Sequence, residues 1–155
     1  NGMKNLFLFL FIVLLGGTIN AQNKTVWQDL FGEHFKPDCD KLEAWEERFS
    51  ELDTLPSLKA WIIISQSNCP WNPVEKYAQF ERGQALLDQA IVESKDPILG
   101  KFLRLTVQEH VPGFLGYNTD VETDRKYVLD HLDQITSKAY YSFIVDYLQR
   151  HPAEK

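Results

Sequence analysis

Residues 58–64 read Leu-Lys-Ala-Trp-Ile-Ile-Ile and end in four consecutive large apolar residues, three of them β-branched. This stretch decides the fold class, because such a run suits a buried strand as well as a helix enclosed on most sides. A strand needs a partner, and no other segment offers one, since the remaining apolar positions recur with a helical period. The run is therefore read as a helix over about 57–68, opening after the break Thr54-Leu55-Pro56-Ser57.

Toward the N-terminus, Leu42, Trp45, Phe49 and Leu52 fall on one helical face and predict a helix over 39–53. Asp40 with Glu43 three residues later forms the pattern of a capping box at its start. A shorter helix over 25–35 carries Val26, Leu30 and Phe31, with Pro37 separating the two. Toward the C-terminus, Asn68-Cys69-Pro70-Trp71-Asn72-Pro73 reads as a turn. Pro70 ends one helix, Asn72 caps the next ahead of Pro73, and Glu75 sits near the positive end. Trp71 is expected to pack across this turn as a hydrophobic staple. Further helices follow over 73–95, 97–111, 119–135 and 138–149. Asp96-Pro97, the box Thr119 and Glu122, and Ser137 mark the last three starts. The expected fold is all-α, with about seven helices stacked as antiparallel pairs.

Ahead of the domain, Met3-Lys4-Asn5 precedes the unbroken apolar run Leu6–Leu15 and the small-residue stretch Gly16-Gly17-Thr18-Ile19-Asn20-Ala21. That is the pattern of a secretory signal peptide, and the run is too short to span a bilayer. Residues 1–21, including a two-residue leader, are read as the signal, and 22–155 as one helical domain exported to the periplasm or beyond the cell. Removing 1–21 takes one lysine and no acid, so 15 cations face 22 acids and the mature net charge is −7. An acidic chain without a basic run is a poor binder of nucleic acid or anionic lipid, and no later segment suits membrane insertion. In an oxidising compartment the two cysteines, Cys39 and Cys69, are expected to pair as a disulfide.

Small Gly83, bulky Leu87 and small Ala90, spaced four and three apart and followed by a helix starting at Pro97, resemble the second helix of a tetratricopeptide repeat running into the next. Two stretches resemble an exported, uncharacterised, tetratricopeptide-like helical protein family of Gram-negative bacteria. One is Trp71-Asn72-Pro73 with Lys76, Phe80, Gly83 and Ala90. The other is Lys101–Gln108 followed by Pro112-Gly113-Phe114-Leu115-Gly116-Tyr117. The resemblance implies a helical-pair superhelix and brings no known activity with it.

Chemistry is sparse. Nucleophilic catalysis needs a Ser or Cys with a His base and an orienting group, and the four histidines stand in no such motif. Acid pairs such as Glu46-Glu47 and Asp120 with Glu122 read as solvent faces or caps. Zinc, EF-hand and phosphate-loop signatures are absent, so no catalytic residue, metal or cofactor is assigned. One stripe stands out. Lys101, Arg104 and Gln108 lie within about 60° of one another on a helix, opposite Leu99, Phe102, Leu103 and Thr106. In a helix-pair stack this stripe is expected to line an exposed concave groove that suits an acidic or carboxylate-ended peptide. Trp71, Asn72 and Tyr117 are the loop residues expected to add contacts. The functional expectation is an exported scaffold for a protein or peptide; the alternative is a small exported enzyme or ligand-binding protein with a pocket under the 112–118 loop.

Overall fold

A computed structural model of the chain describes residues 38–48 and 55–153. The expected signal sequence, the helix over 25–35 and the segment 49–54 lie outside the described residues. Every regular element among the described residues is helical. The order is α1 (Cys39–Arg48), α2 (Pro56–Gln66), α3 (Pro73–Glu93), α4 (Ile98–Gln108), α5 (Val121–Asp130) and α6 (Lys138–Arg150). Single 3-10 turns at Gly113–Leu115 and Leu132–Gln134 precede and follow α5. Among the described residues no helix is long and apolar enough to cross a membrane.

The run that decides the fold class is α2. Leu58, Ala60, Trp61, Ile62, Ile63 and Ile64 are all buried, because α2 packs against α1, α3 and α4. Contact on that many sides outweighs the modest helix preference of the isoleucines. Even its polar atoms are met: Trp61 Nε1 donates to Thr106 Oγ1 of α4 at 3.1 Å, and Gln79 of α3 donates to Gln66 Oε1 at 3.2 Å.

Two glycines set how closely the helices approach. A Cβ on Gly83 of α3 would stand 2.6 Å from Ile64 Cγ1 and 2.7 Å from the Ile64 backbone nitrogen of α2. One on Gly100 of α4 would stand 2.7 Å from Ile91 Cγ1 and 2.9 Å from Ser57 Oγ, so α4 is drawn against both α3 and α2. α5 runs back along α4, with Tyr127 beside Lys101 and Asp120 near Arg104. α6 closes the far side through aromatic edges: Phe102 meets Phe143 at 5.6 Å and Tyr147 at 5.4 Å. Ile144 and Tyr147 are wholly buried there.

Cys39, the first residue of α1, is bonded to Cys69, three residues beyond the end of α2, with Cα atoms 5.8 Å apart. The pairing fits an α1–α2 hairpin whose open end is bridged. Leu42 and Trp45 of α1 are buried.

Several helix starts differ from expectation. α1 opens one residue before Asp40, and Asp38 supplies the acceptor, its Oδ1 taking the Asp40 amide at 3.2 Å. The box at Thr119 and Glu122 does not form: Asp120 is the N-cap, with no side-chain cap bond. Its carboxylate accepts from Thr119 Oγ1 at 3.1 Å and lies 3.9 Å from Arg104 instead. At Asp96-Pro97 the start shifts by one residue: Pro97 is the N-cap of α4, with no side-chain cap bond, and Asp96, one residue before it, accepts from Ile98 N at 3.3 Å. α5 stops at Asp130, short of the expected end, where the His131 ring lies against Tyr127 and its Nδ1 bonds the Tyr127 carbonyl at 2.7 Å.

Candidate functional site

The stripe on α4 is where sequence and structure part most clearly. Lys101, Arg104 and Gln108 were expected in an open groove, yet Gln108 is buried and the side chains of Lys101 and Arg104 are only 17% and 13% exposed. The physical reason is that α4 is an inner helix. α2 and α3 cover one side and α5 covers the other, so the polar stripe becomes the α4–α5 contact.

Arg104 is the hub of what forms there. Its Nε donates to Asp124 Oδ2 at 2.6 Å and its NH2 to Asp124 Oδ1 at 2.9 Å, while NH1 reaches Asp88 Oδ1 at 3.0 Å. Asp124 is completely buried and also takes Lys101 Nζ at 3.1 Å. Lys101 in turn lies 4.9 Å from the centre of the Tyr127 ring. Burial pulls the Arg104 guanidinium toward neutrality, but its bonds to Asp124 and Asp88 outweigh that and hold its pKa above the ordinary value. Tyr117 joins the same group, its hydroxyl donating to Asp88 Oδ1 at 3.2 Å. Burial, then the Asp88 carboxylate, raises the pKa of this phenol.

Three of the six residues expected to bind, Lys101, Arg104 and Tyr117, are thus brought into one network, with Gln108 buried farther along the same helix. The network braces three helices, joining Asp88 of α3, Lys101 and Arg104 of α4 and Asp124 of α5. Its outermost charges are carboxylates, since the side chains of Asp88 and Asp120 are 39% and 42% exposed. The two cations that pointed to an acidic peptide are paired inside the fold. Beneath the 112–118 loop, where the alternative reading places a pocket, the Tyr117 ring is buried edge-on against Phe80 at 5.8 Å. Both Gln108 amide atoms are buried and have no hydrogen-bond partner among the described residues.

Asp88 and Asp124 were the residues that sequence reasoning missed; Asp120, read as a cap or solvent-face acid, is the N-cap of α5 and also faces Arg104. Asp124 carried a usable signal: it lies between Val121 and Val128 at helical spacing, and an acid at a core position calls for a buried cation. A second network at the far end of α4 also escaped notice. There Glu109 accepts from Tyr147 Oη at 2.6 Å and from the Arg125 guanidinium, and burial, then Glu109, raises the Tyr147 pKa. The Tyr147 ring stacks on His151 at 4.4 Å, and His110 meets His151 edge-on at 5.3 Å.

The turn after α2 holds the other two expected residues. Asn72 caps α3 as foreseen, its Oδ1 accepting from Val74 N at 2.9 Å. Trp71 does not staple the turn: it is 97% exposed. A staple joins the residue before the cap to the fourth helical residue, which here is Lys76, whose Nζ donates instead to the Asn68 carbonyl at 3.3 Å. Trp71 is left standing in solvent, and Val74 and Tyr77, three and six residues further on, are exposed by 74% and 51%. The turn beneath them is fixed at several points: Cys69 N bonds Gln66 O at 2.9 Å, Asn68 N bonds Ser65 O at 3.3 Å, and Cys69 is tied to Cys39.

In comparisons with known proteins, no family model, no curated protein and no solved structure matches this chain.

Proposed function

We propose that this chain is an exported helical-repeat protein that serves as an interaction scaffold for a protein or peptide, its helices stacked as antiparallel pairs in the manner of tetratricopeptide arrays. The short turn between α2 and α3 and the return of α5 along α4 support the pairing, as does the close approach at Gly83. The disulfide supports export to the periplasm or beyond, since such bonds persist in oxidising compartments.

The observation that carries the scaffold reading is the aromatic corner at Trp71. A tryptophan held almost wholly in water on a turn fixed by a disulfide and a helix cap, with Val74 and Tyr77 of the following helix also exposed, loses apolar exposure only when something covers it. Tryptophan and tyrosine are the residues on which binding energy concentrates, and a pre-ordered turn lowers the entropy cost of engaging them. The partner contact is therefore assigned to Trp71, Val74 and Tyr77, and the α4 stripe to the scaffold that holds the corner in place.

The test is Trp71→Ala combined with Val74→Ser. Both side chains face solvent, so each change should alter stability by no more than about 0.5 kcal/mol. Partners captured from a native envelope extract by the wild-type protein should be lost with this variant at equal helicity. An identical catch from both proteins would overturn the reading.

A further inference from the structure

We infer that the partner received at the Trp71 corner is a second copy of this chain, held through the outer face of α3 in an antiparallel pairing that sets Glu75 of each copy against Arg82 of the other. The inference rests on the scaffold reading in taking Trp71 as a contact residue; the pairing along α3 has its own support.

α3 turns one side to the core, where Phe80, Gly83, Leu87, Ala90 and Ile91 are buried. At about 100° per residue, Val74, Ala78 and Ala85 fall within about 40° of one another on the opposite side, and all three are exposed. Eight large apolar side chains are exposed among the described residues, and five of them, Trp71, Val74, Tyr77, Leu86 and Val92, lie on α3 or the turn before it. The apolar surface that the fold leaves uncovered is therefore concentrated on this helix, which is where an interface is expected.

The charges on that face say what fits it. Glu75 and Arg82 are seven residues apart, so they share one edge of the helix within about 20°, and both are exposed. An edge carrying one acid and one base a heptad apart complements itself only when reversed. In a parallel pair Glu75 would meet Glu75 and Arg82 would meet Arg82. In an antiparallel pair, about a twofold axis between Ala78 and Gln79, Glu75 of one copy lies level with Arg82 of the other, and the symmetry makes the ion pair twice. Like charges then stand about 10 Å apart along the helix, at 1.5 Å per residue. The same register sets Trp71 level with Leu86 of the other copy and puts the small side chain of Ala78 beside the axis, where two helices can approach closely. A single helix-on-helix contact lies at the small end of specific interfaces, so the dimer is expected to be reversible, half-formed at roughly 10–100 μM.

The test is sedimentation velocity of the native protein purified from the envelope, compared at equal helicity with Arg82→Glu, Glu75→Arg, the two combined, and Trp71→Ala. The wild type should pass from monomer to dimer as its concentration rises. Each charge reversal should weaken the dimer by about tenfold or more, the combined variant should restore it, and Trp71→Ala should weaken it comparably. A wild type that stays monomeric well above the expected midpoint would overturn the inference, as would a dimer that ignores the single reversals or is not restored by combining them. Failure of the scaffold reading looks different. A monomer that still engages another protein through Trp71 would refute the second copy and leave the scaffold reading standing, whereas a dimer that responds to the charges but not to Trp71→Ala would uphold the α3 pairing and remove Trp71 as a contact.

Discussion

Gly83→Ala sets two effects of opposite sign against each other, and the structure gives the size of each. Alanine is the better helix former by about 1 kcal/mol, so at an open position of α3 the change would stabilise. Position 83 is not open. The new methyl would stand 2.6 Å from Ile64 Cγ1, 2.7 Å from Ile64 N and 3.1 Å from Ile64 Cα. The Cγ1 atom can swing aside by a rotamer change; the nitrogen and Cα belong to the backbone of α2 and cannot. Ordinary contact lies at about 3.5–4.0 Å, so the helices must part by roughly 0.7–1 Å. A gap of that size forfeits a quarter to a half of the dispersion energy at each atom pair along the interface, where Leu58, Ile62, Phe80 and Leu87 are buried. Overpacking of this kind costs about 1–3 kcal/mol, leaving a net loss of up to about 2 kcal/mol after the propensity gain. Thermal unfolding should show a fall in Tm of up to about 8 °C. Ala78→Gly, at an exposed position on the same helix, should cost about 1 kcal/mol from propensity alone and calibrates the scale. A rise in Tm for Gly83→Ala would refute the close α2–α3 approach.

Arg104→Met should destabilise by roughly 2–4 kcal/mol in urea unfolding, because it leaves fully buried Asp124 with Lys101 alone; adding Asp124→Leu should recover much of that loss, and a double variant no more stable than the single would contradict the buried-pair account. Labelling of free thiols in the unfolded, unreduced protein should find none, the bridge being worth about 3–4 kcal/mol for a separation of 30 residues; two labelled cysteines would contradict it.

How much of this was legible in the sequence depended on whether the signal was local. The helical class, the Asn72 and Ser137 caps and the closeness at Gly83 follow from residue type and spacing within one element, and the structure has them. The disulfide pairing followed from an even cysteine count together with the hairpin between them. What failed was the environment of a face. The Lys101–Arg104–Gln108 stripe looks solvated because it is polar, but α5 covers it, and only the aspartate between Val121 and Val128 hinted at a buried counter-charge. Trp71 failed in the opposite sense: an aromatic beside a cap suggests a staple, yet the residue it would meet is Lys76. The burial of a side chain is set by which elements pack together, and a periodicity confined to one helix does not carry that information.

Partner contact at the Trp71 corner is tested most directly by site-specific photo-crosslinking in the native envelope. A photoreactive phenylalanine analogue is placed at position 71 and, as a control, at exposed Lys59 of α2. Irradiation should give a discrete higher-mass adduct from position 71 and none from position 59, and the adduct should be competed away by excess purified wild-type protein. No adduct at 71, or the same smear from both positions, would contradict the scaffold reading of this corner.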